Sequence, residues 1–209
     1  GLTGSPLTFT ATGTAGAATQ LVIQTQPSAA AQSGVAFAVQ PAVRLGDAFG
    51  NLVNTGGTVV TAALASGTGT LGGTLTASTV AGVATFTNLS ITGVSGAYTL
   101  RFTAGALTPD TTTAITIGAG AAARLLIQQQ PSATTQNAVA FAQQPTVQLV
   151  DGAGNPVAVA GTPVAVAILT GGGTLGGTAT VNTTAGGPAT FTGLSITGAG
   201  GARTLLFSS

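Results

Sequence analysis

Apolar and polar residues alternate along this chain in short runs with a period of two. Tyr98, Leu100 and Phe102 alternate with Thr99, Arg101 and Thr103, so three large apolar side chains share one face and three polar ones the other. A half-buried β-strand requires that arrangement. Leu21 and Ile23 alternate with Val22 and Gln24, Val43 and Leu45 with Ala42, Arg44 and Gly46, and Ala84 and Phe86 with Val83, Thr85 and Thr87. Gly, Asn and Pro punctuate the runs. Seven strands are predicted in the first part of the chain, near 20–25, 35–46, 58–65, 74–79, 83–88, 97–104 and 112–117. Pro41 cannot donate to a ladder, so the second run is expected to bend or switch sheet there. Short strands at intervals of about 8–12 residues predict an all-β chain folded as an antiparallel sandwich.

The same pattern then returns. Gln26-Pro27-Ser28 reappears as Gln130-Pro131-Ser132, and 131 − 27 = 104. Thr70-Leu71-Gly72-Gly73 reappears as Thr174-Leu175-Gly176-Gly177 at the same offset. Ala84-Thr85-Phe86 reappears as Ala189-Thr190-Phe191, now 105 apart, so one residue has been inserted near Gly186-Gly187-Pro188. Self-similarity at a fixed period marks an array, and this period has the size of one independently folding domain. The second copy starts at Arg124 and reaches its sixth strand at Arg203–Ser208; no seventh follows within these 209 residues. Leu7–Gly13 precedes the first copy as Ala114–Gly118 precedes the second, with Phe9 and Ala11 able to take the roles of Ile115 and Ile117. Three parts are therefore expected: a strand-bearing segment 1–18 that completes a preceding or neighbouring sandwich, a sandwich over 19–119, and a second over 120–209 whose last strand comes from elsewhere.

Two stretches carry a resemblance to a known family. Val43-Arg44-Leu45-Gly46-Asp47-Ala48-Phe49-Gly50-Asn51-Leu52-Val53 and Val147-Gln148-Leu149-Val150-Asp151-Gly152-Ala153-Gly154-Asn155-Pro156-Val157 each run a strand into an Asp-x-x-Gly-Asn turn. They resemble bacterial Ig-like domains of the invasin/intimin (Big-1-like) type. Gly82-Val83-Ala84-Thr85-Phe86 and Gly96-Ala97-Tyr98-Thr99-Leu100 resemble that family's penultimate strands. The resemblance implies tandem Ig-like modules in stalks or rods of bacterial surface proteins. The chain departs from the family in its near lack of charge and in having no distinct tip domain.

Composition removes most chemistry. Charged residues are 3% of the chain, with no Lys, Glu or His. A net charge of +1 gives no field for nucleic acid. No Cys is present, so disulfides and thiolate sites are excluded. Ser and Thr hydroxyls have no His, Lys, Glu or Cys to activate them, and no enzyme activity is expected. No cofactor is expected. The turn residues Asp47, Gly50, Asn51, Asp151, Gly154 and Asn155 could suggest calcium loops, but three Asp cannot build a charged cage. A backbone-bonded turn is the expected reading. Gly72-Gly73 and Gly171-Gly172-Gly173 lack the helix and Lys of a phosphate loop and read as turns. No apolar run approaches the roughly 20 residues of a membrane helix. Phe37, Phe86, Phe102, Phe141, Phe191 and Phe207 recur at equivalent strand positions and are expected in cores; Phe49 has Ala153 as its counterpart in the repeat and is expected to be an exposed turn residue or a domain contact. Asn88 and Asn182 begin glycosylation-type triplets, although Gly193 replaces Asn88 in the second copy and a tight left-handed turn accounts for both.

A sandwich without its last strand exposes core and an unpaired edge. Strand addition by another copy relieves both, and such a head-to-tail contact propagates. The expected function is a structural subunit of an extracellular bacterial or archaeal surface filament. In it, identical copies join by donor-strand complementation, Leu7, Phe9 and Ala11 of one pairing with Arg203, Leu205 and Phe207 of the next. The alternatives are one repeat of a giant continuous Ig-like stalk, or a carbohydrate- or protein-binding adhesin module.

Overall fold

Every described residue that enters regular structure enters a β-strand. The computed structural model describes residue 4 and residues 6–209, and none of these is helical. In chain order the strands are β1 (Gln20–Thr25), β2 (Ala30–Gln32), β3 (Ala42–Gly46), β4 (Val59–Ser66), β5 (Gly69–Gly72), β6 (Thr76–Ser78), β7 (Val83–Thr85), β8 (Ser90–Gly93), β9 (Gly96–Thr103), β10 (Asp110–Thr111) and β11 (Ile115–Gly118). The repeat follows as β12 (Arg124–Gln129), β13 (Thr146–Val150), β14 (Pro163–Thr170), β15 (Thr174–Gly176), β16 (Thr180–Asn182), β17 (Ala189–Thr190), β18 (Ser195–Thr197) and β19 (Thr204–Ser208). The chain is all-β and of Ig-like sandwich type.

In the first sandwich β1-β3-β7 form one sheet, and β2-β11-β9-β4-β6, with β10 beside β9, form the other. The inward faces are those the alternation predicts: Tyr98, Leu100 and Phe102 are buried, and so are Leu21, Val43, Leu45, Ala84 and Phe86. The rings of Phe86 and Phe102 meet across the core with centroids 5.2 Å apart. The second sandwich repeats the pairing at β12-β13-β17 and β16-β14-β19, and Phe191 meets Phe207 at 5.4 Å.

The structure divides the predicted runs more finely. Only Ala42–Gly46 of the run 35–46 is a strand. Upstream of Pro41 the chain loops, because the Gln40 side chain donates to the carbonyls of Phe37 and Leu89 and accepts from the Leu89 N–H, in place of a ladder. Gly-rich β5 and Ser90–Gly93 of β8, which show no apolar alternation, pair with each other in register Gly69↔Gly93 to Gly72↔Ser90. Three strands of the first sandwich have no counterpart in the second: β2, β10 and β11.

Candidate strand-docking site

β11 explains what the second sandwich lacks. It runs parallel to β2, with Thr116 opposite Ala30 and Gly118 opposite Gln32, and antiparallel to β9, with Ile115 opposite Tyr98 and Ile117 opposite Gly96. Ile115 and Ile117 are 1% exposed. Burying two such side chains contributes about 3–6 kcal/mol, a large share of the 5–15 kcal/mol that holds a whole domain together.

At the equivalent place the second sandwich has an open groove of about 760 Å³, between the segment 130–137 and β19. Ile127, Phe141, Ile196, Leu205 and Phe207 line it. Leu21, Ile91, Leu100 and Phe102 are buried in the first sandwich, whereas their repeat equivalents Leu125, Ile196, Leu205 and Phe207 are only half-buried. Thr134–Gln136, which stand where β2 stands, form no strand and are exposed. A second opening of about 470 Å³, lined by Leu125, Leu149 and Phe207 among others, lies next to the groove's floor. The first sandwich closes that position with Leu107, packed on its core, and with Thr108, whose carbonyl accepts from the Leu21 N–H at 2.8 Å.

The proposed donor residues lie at the other end. Leu7 and Phe9 are 90% and 91% exposed, and Ala11 is exposed; 7–13 forms no strand. Residues 1–3 and 5 of the segment 1–18 lie outside the described residues. Arg203 lies just before β19 and is half-buried. Its guanidinium turns back on backbone carbonyls, Nε donating to Gly172 at 2.7 Å and Nη1 to Ala202 at 3.1 Å.

The Asp-x-x-Gly-Asn motifs form backbone-bonded turns, Gly50 N–H donating to the Asp47 carbonyl at 3.0 Å and Gly154 N–H to the Asp151 carbonyl at 3.1 Å. Asp47 Oδ1 accepts from the N–H groups of Phe49 and Asn51 at 2.9 and 2.8 Å, and Oδ2 from the Asn51 amide at 3.0 Å. Gly50 and Gly154 take φ of 80° and 89°, where a side chain would strain the backbone. Each turn also holds the chain segment entering its own sandwich: Gly16 N–H donates to Asp47 Oδ2 at 3.0 Å and Gly120 N–H to Asp151 Oδ2 at 2.8 Å. The Asn51 amide, and after it the Gly16 N–H, hold the Asp47 carboxyl at about 2, against 3.8 ordinarily. Burial pushes the Asp151 carboxyl up, but the donors Gly120, Asn155 and Ala153 outweigh it, and its pKa falls.

The second turn reaches further than the sequence suggests. Asn155, 3% exposed, donates to the carbonyl of Gly93 at 2.9 Å and accepts from the Ser95 N–H at 2.7 Å. One side chain thereby ties the second sandwich to the β8–β9 loop of the first. Gly120 closes the same junction; a Cβ there would come within 2.5 Å of the Ser33 carbonyl oxygen. Nothing local marks these contacts, since each has a backbone group as one partner and joins positions 60 or more residues apart.

Phe37, Phe86, Phe102, Phe141 and Phe191 are core residues, Phe207 is half-buried, and Phe49 is 92% exposed. Asn88 and Asn182 are exposed. Asn88 does not adopt the left-handed conformation expected of it, since Ala81 and Ala138 are the described non-glycine residues with positive φ. Its side chain instead accepts from the Thr74 N–H at 2.8 Å, while Gly193 takes φ of 68°.

No protein-family model matches this chain, and no curated protein matches it. Among solved structures it is similar to the D0-D1 domain of Intimin, at 17% identity over 86% of this chain and 84% of that one, with a TM-score of 0.33.

Proposed function

We propose that this chain is a structural subunit of a surface filament, in which Leu7–Gly13 of one molecule completes the second sandwich of the next. The observation that carries the reading is the groove beside β19, at the position that β11 fills in the first sandwich. The occupant follows from the repeat. Gly16 and Gly120 make the same bond to their turns, so 7–13 leads into the first sandwich as 111–117 leads into the second. A strict offset of 104 sets Ala11 opposite Arg203; pairing Phe9 with Ile115 shifts the register by two. In the shifted register Phe9 and Ala11 take the buried places of Ile115 and Ile117; in the strict register Ala11 takes that of Ile115 and Phe9 the exposed place of Thr113. The extracellular, cell-surface setting and the absence of catalysis belong to this proposal.

The chain has no cysteine, so an introduced pair reports one contact. Thr116 lies opposite Ala97 in the first sandwich. The intermolecular equivalents are Thr12, or Thr10 in the shifted register, opposite Ala202. Thr12→Cys or Thr10→Cys combined with Ala202→Cys should give a ladder of covalent oligomers on a non-reducing denaturing gel. Monomer alone from both pairs would refute donor-strand exchange. In a continuous stalk the same strand would come from the same polypeptide, and native material would run as one very large band on a denaturing gel.

A further inference from the structure

The junction between the two sandwiches of one chain is built from matched halves, and the unmatched halves of the same junction lie at the chain's two ends. Within the chain Asn155 is buried on Gly93, which is also buried. The repeat equivalents of these residues are Asn51 and Gly198, and both are exposed. Gly120 is buried on Ser33; its equivalent Gly16 is exposed. The Asn51 side chain is already aimed, because its Nδ2 donates to Asp47 as Asn155 Nδ2 donates to Asp151. Its Oδ1 has no partner among the described residues, whereas Asn155 Oδ1 accepts from Ser95. Gly200 is the equivalent of Ser95 and keeps the N–H that the contact needs.

We infer that the Asp47–Asn51 turn is a docking surface for the Gly198–Gly200 loop of the molecule that receives its Leu7–Gly13 strand. Asn51 Nδ2 donates to the Gly198 carbonyl and Asn51 Oδ1 accepts from the Gly200 N–H. The inference rests on head-to-tail assembly and adds a second, polar contact to the strand contact. Phe49, 92% exposed where the second turn has half-buried Ala153, adds apolar surface beside Asn51 on this face. The contact fixes how one molecule sits on the next, a property that strand insertion alone leaves to the linker 14–18. The two kinds of junction along a filament, within and between molecules, would then share one geometry.

Amide hydrogen exchange on assembled wild-type protein separates the two ideas. The expected result is slowed exchange both along β19 and at Gly200, relative to unassembled protein. Asn51→Ala should restore fast exchange at Gly200, leave β19 protected, and raise the concentration needed for assembly roughly tenfold or more through two lost hydrogen bonds. Gly200→Ala, which keeps the N–H and has open space for a Cβ, should behave as wild type. Gly200→Pro, which removes the N–H, should act like Asn51→Ala. Protection of β19 without protection of Gly200 would overturn this contact and leave strand exchange standing. Protection of neither would overturn both.

Discussion

Arg203 and Tyr98, 105 positions apart, tie together the same two loops of their sandwiches. The Tyr98 hydroxyl lies 2.8 Å from the Thr68 carbonyl and 2.7 Å from that of Val94. Arg203 Nε donates to the carbonyl of Gly172, and its Nη2 to that of Ala199. Gly172 and Ala199 are the repeat equivalents of Thr68 and Val94. A phenol has one hydrogen to share between two acceptors; a guanidinium has one for each. Tyr98 is 2% exposed, so its loss leaves carbonyls short of a donor in a dry place. Tyr98→Phe should cost about 1–3 kcal/mol. Arg203→Met, at a wetter site, should cost about 1 kcal/mol or less. Urea unfolding of each variant measures the difference, and equal costs would contradict the role given to burial.

Ala138 sits at φ 64°, where Gly34 sits at φ 80° in the first sandwich. Both donate N–H bonds to equivalent carbonyls, of Ile196 at 2.9 Å and Ile91 at 2.8 Å. A left-handed conformation costs an alanine roughly 1–2 kcal/mol that glycine avoids. Ala138→Gly should therefore stabilise the second sandwich by roughly 1 kcal/mol, and Gly34→Ala should destabilise the first by a similar amount. Thermal unfolding of the two variants should move in opposite directions.

Acid should be the only pH range that matters. A carboxyl whose pKa falls on folding stabilises the fold above its unfolded value, and that contribution is lost as pH drops through the folded value. For Asp47 the window runs from 3.8 down to about 2. Asp151 shifts in the same direction. There is no histidine to titrate nearer neutrality. The melting temperature should be flat between about pH 5 and 8 and fall below about pH 4. Asp151→Asn should blunt that fall and cost roughly 2 kcal/mol at neutral pH, because an amide cannot accept as many N–H bonds as a carboxylate. A melting curve that declines between pH 8 and 5 would contradict this account.

Gly120→Ala tests the junction within one molecule. The added Cβ meets backbone at Ser33, which cannot move aside as a flexible side chain can. Faster hydrogen exchange at Ser95 and easier proteolysis across 119–123 are expected. The unfolding of each sandwich by itself should change little. Unchanged exchange at Ser95 would mean that Gly120 is not what brings the two sandwiches together.

The parts of the fold legible in the sequence are those written in side chains. Tyr98, Leu100 and Phe102 announce a strand because their alternation is the burial pattern. Asp47 and Asn51 announce a turn because the chemistry that closes it lies within five residues. β5 is invisible because two of its four residues are glycine and carry no facing preference. β2 is invisible for a different reason: Ala30-Ala31-Gln32 has no strand pattern of its own, and it pairs only with β11. Its counterpart Thr134-Thr135-Gln136, with no strand beside it, stays irregular. The Asn155–Gly93 contact was hidden because one half of it is backbone.

The position of β11 decides how a pull along such an assembly would be carried. Tension would leave the first sandwich through Gly118, at the end of a strand bonded on both sides, to β2 and to β9. It would have entered through Gly16, which leads into β1 of the opposite sheet. The load path therefore crosses the core from one sheet to the other. At the exit strand it runs along the ladder rather than across it, so the hydrogen bonds are loaded together in shear instead of peeling one by one. A strand seated beside β19 would inherit that geometry, and rupture would demand breaking the whole ladder at once.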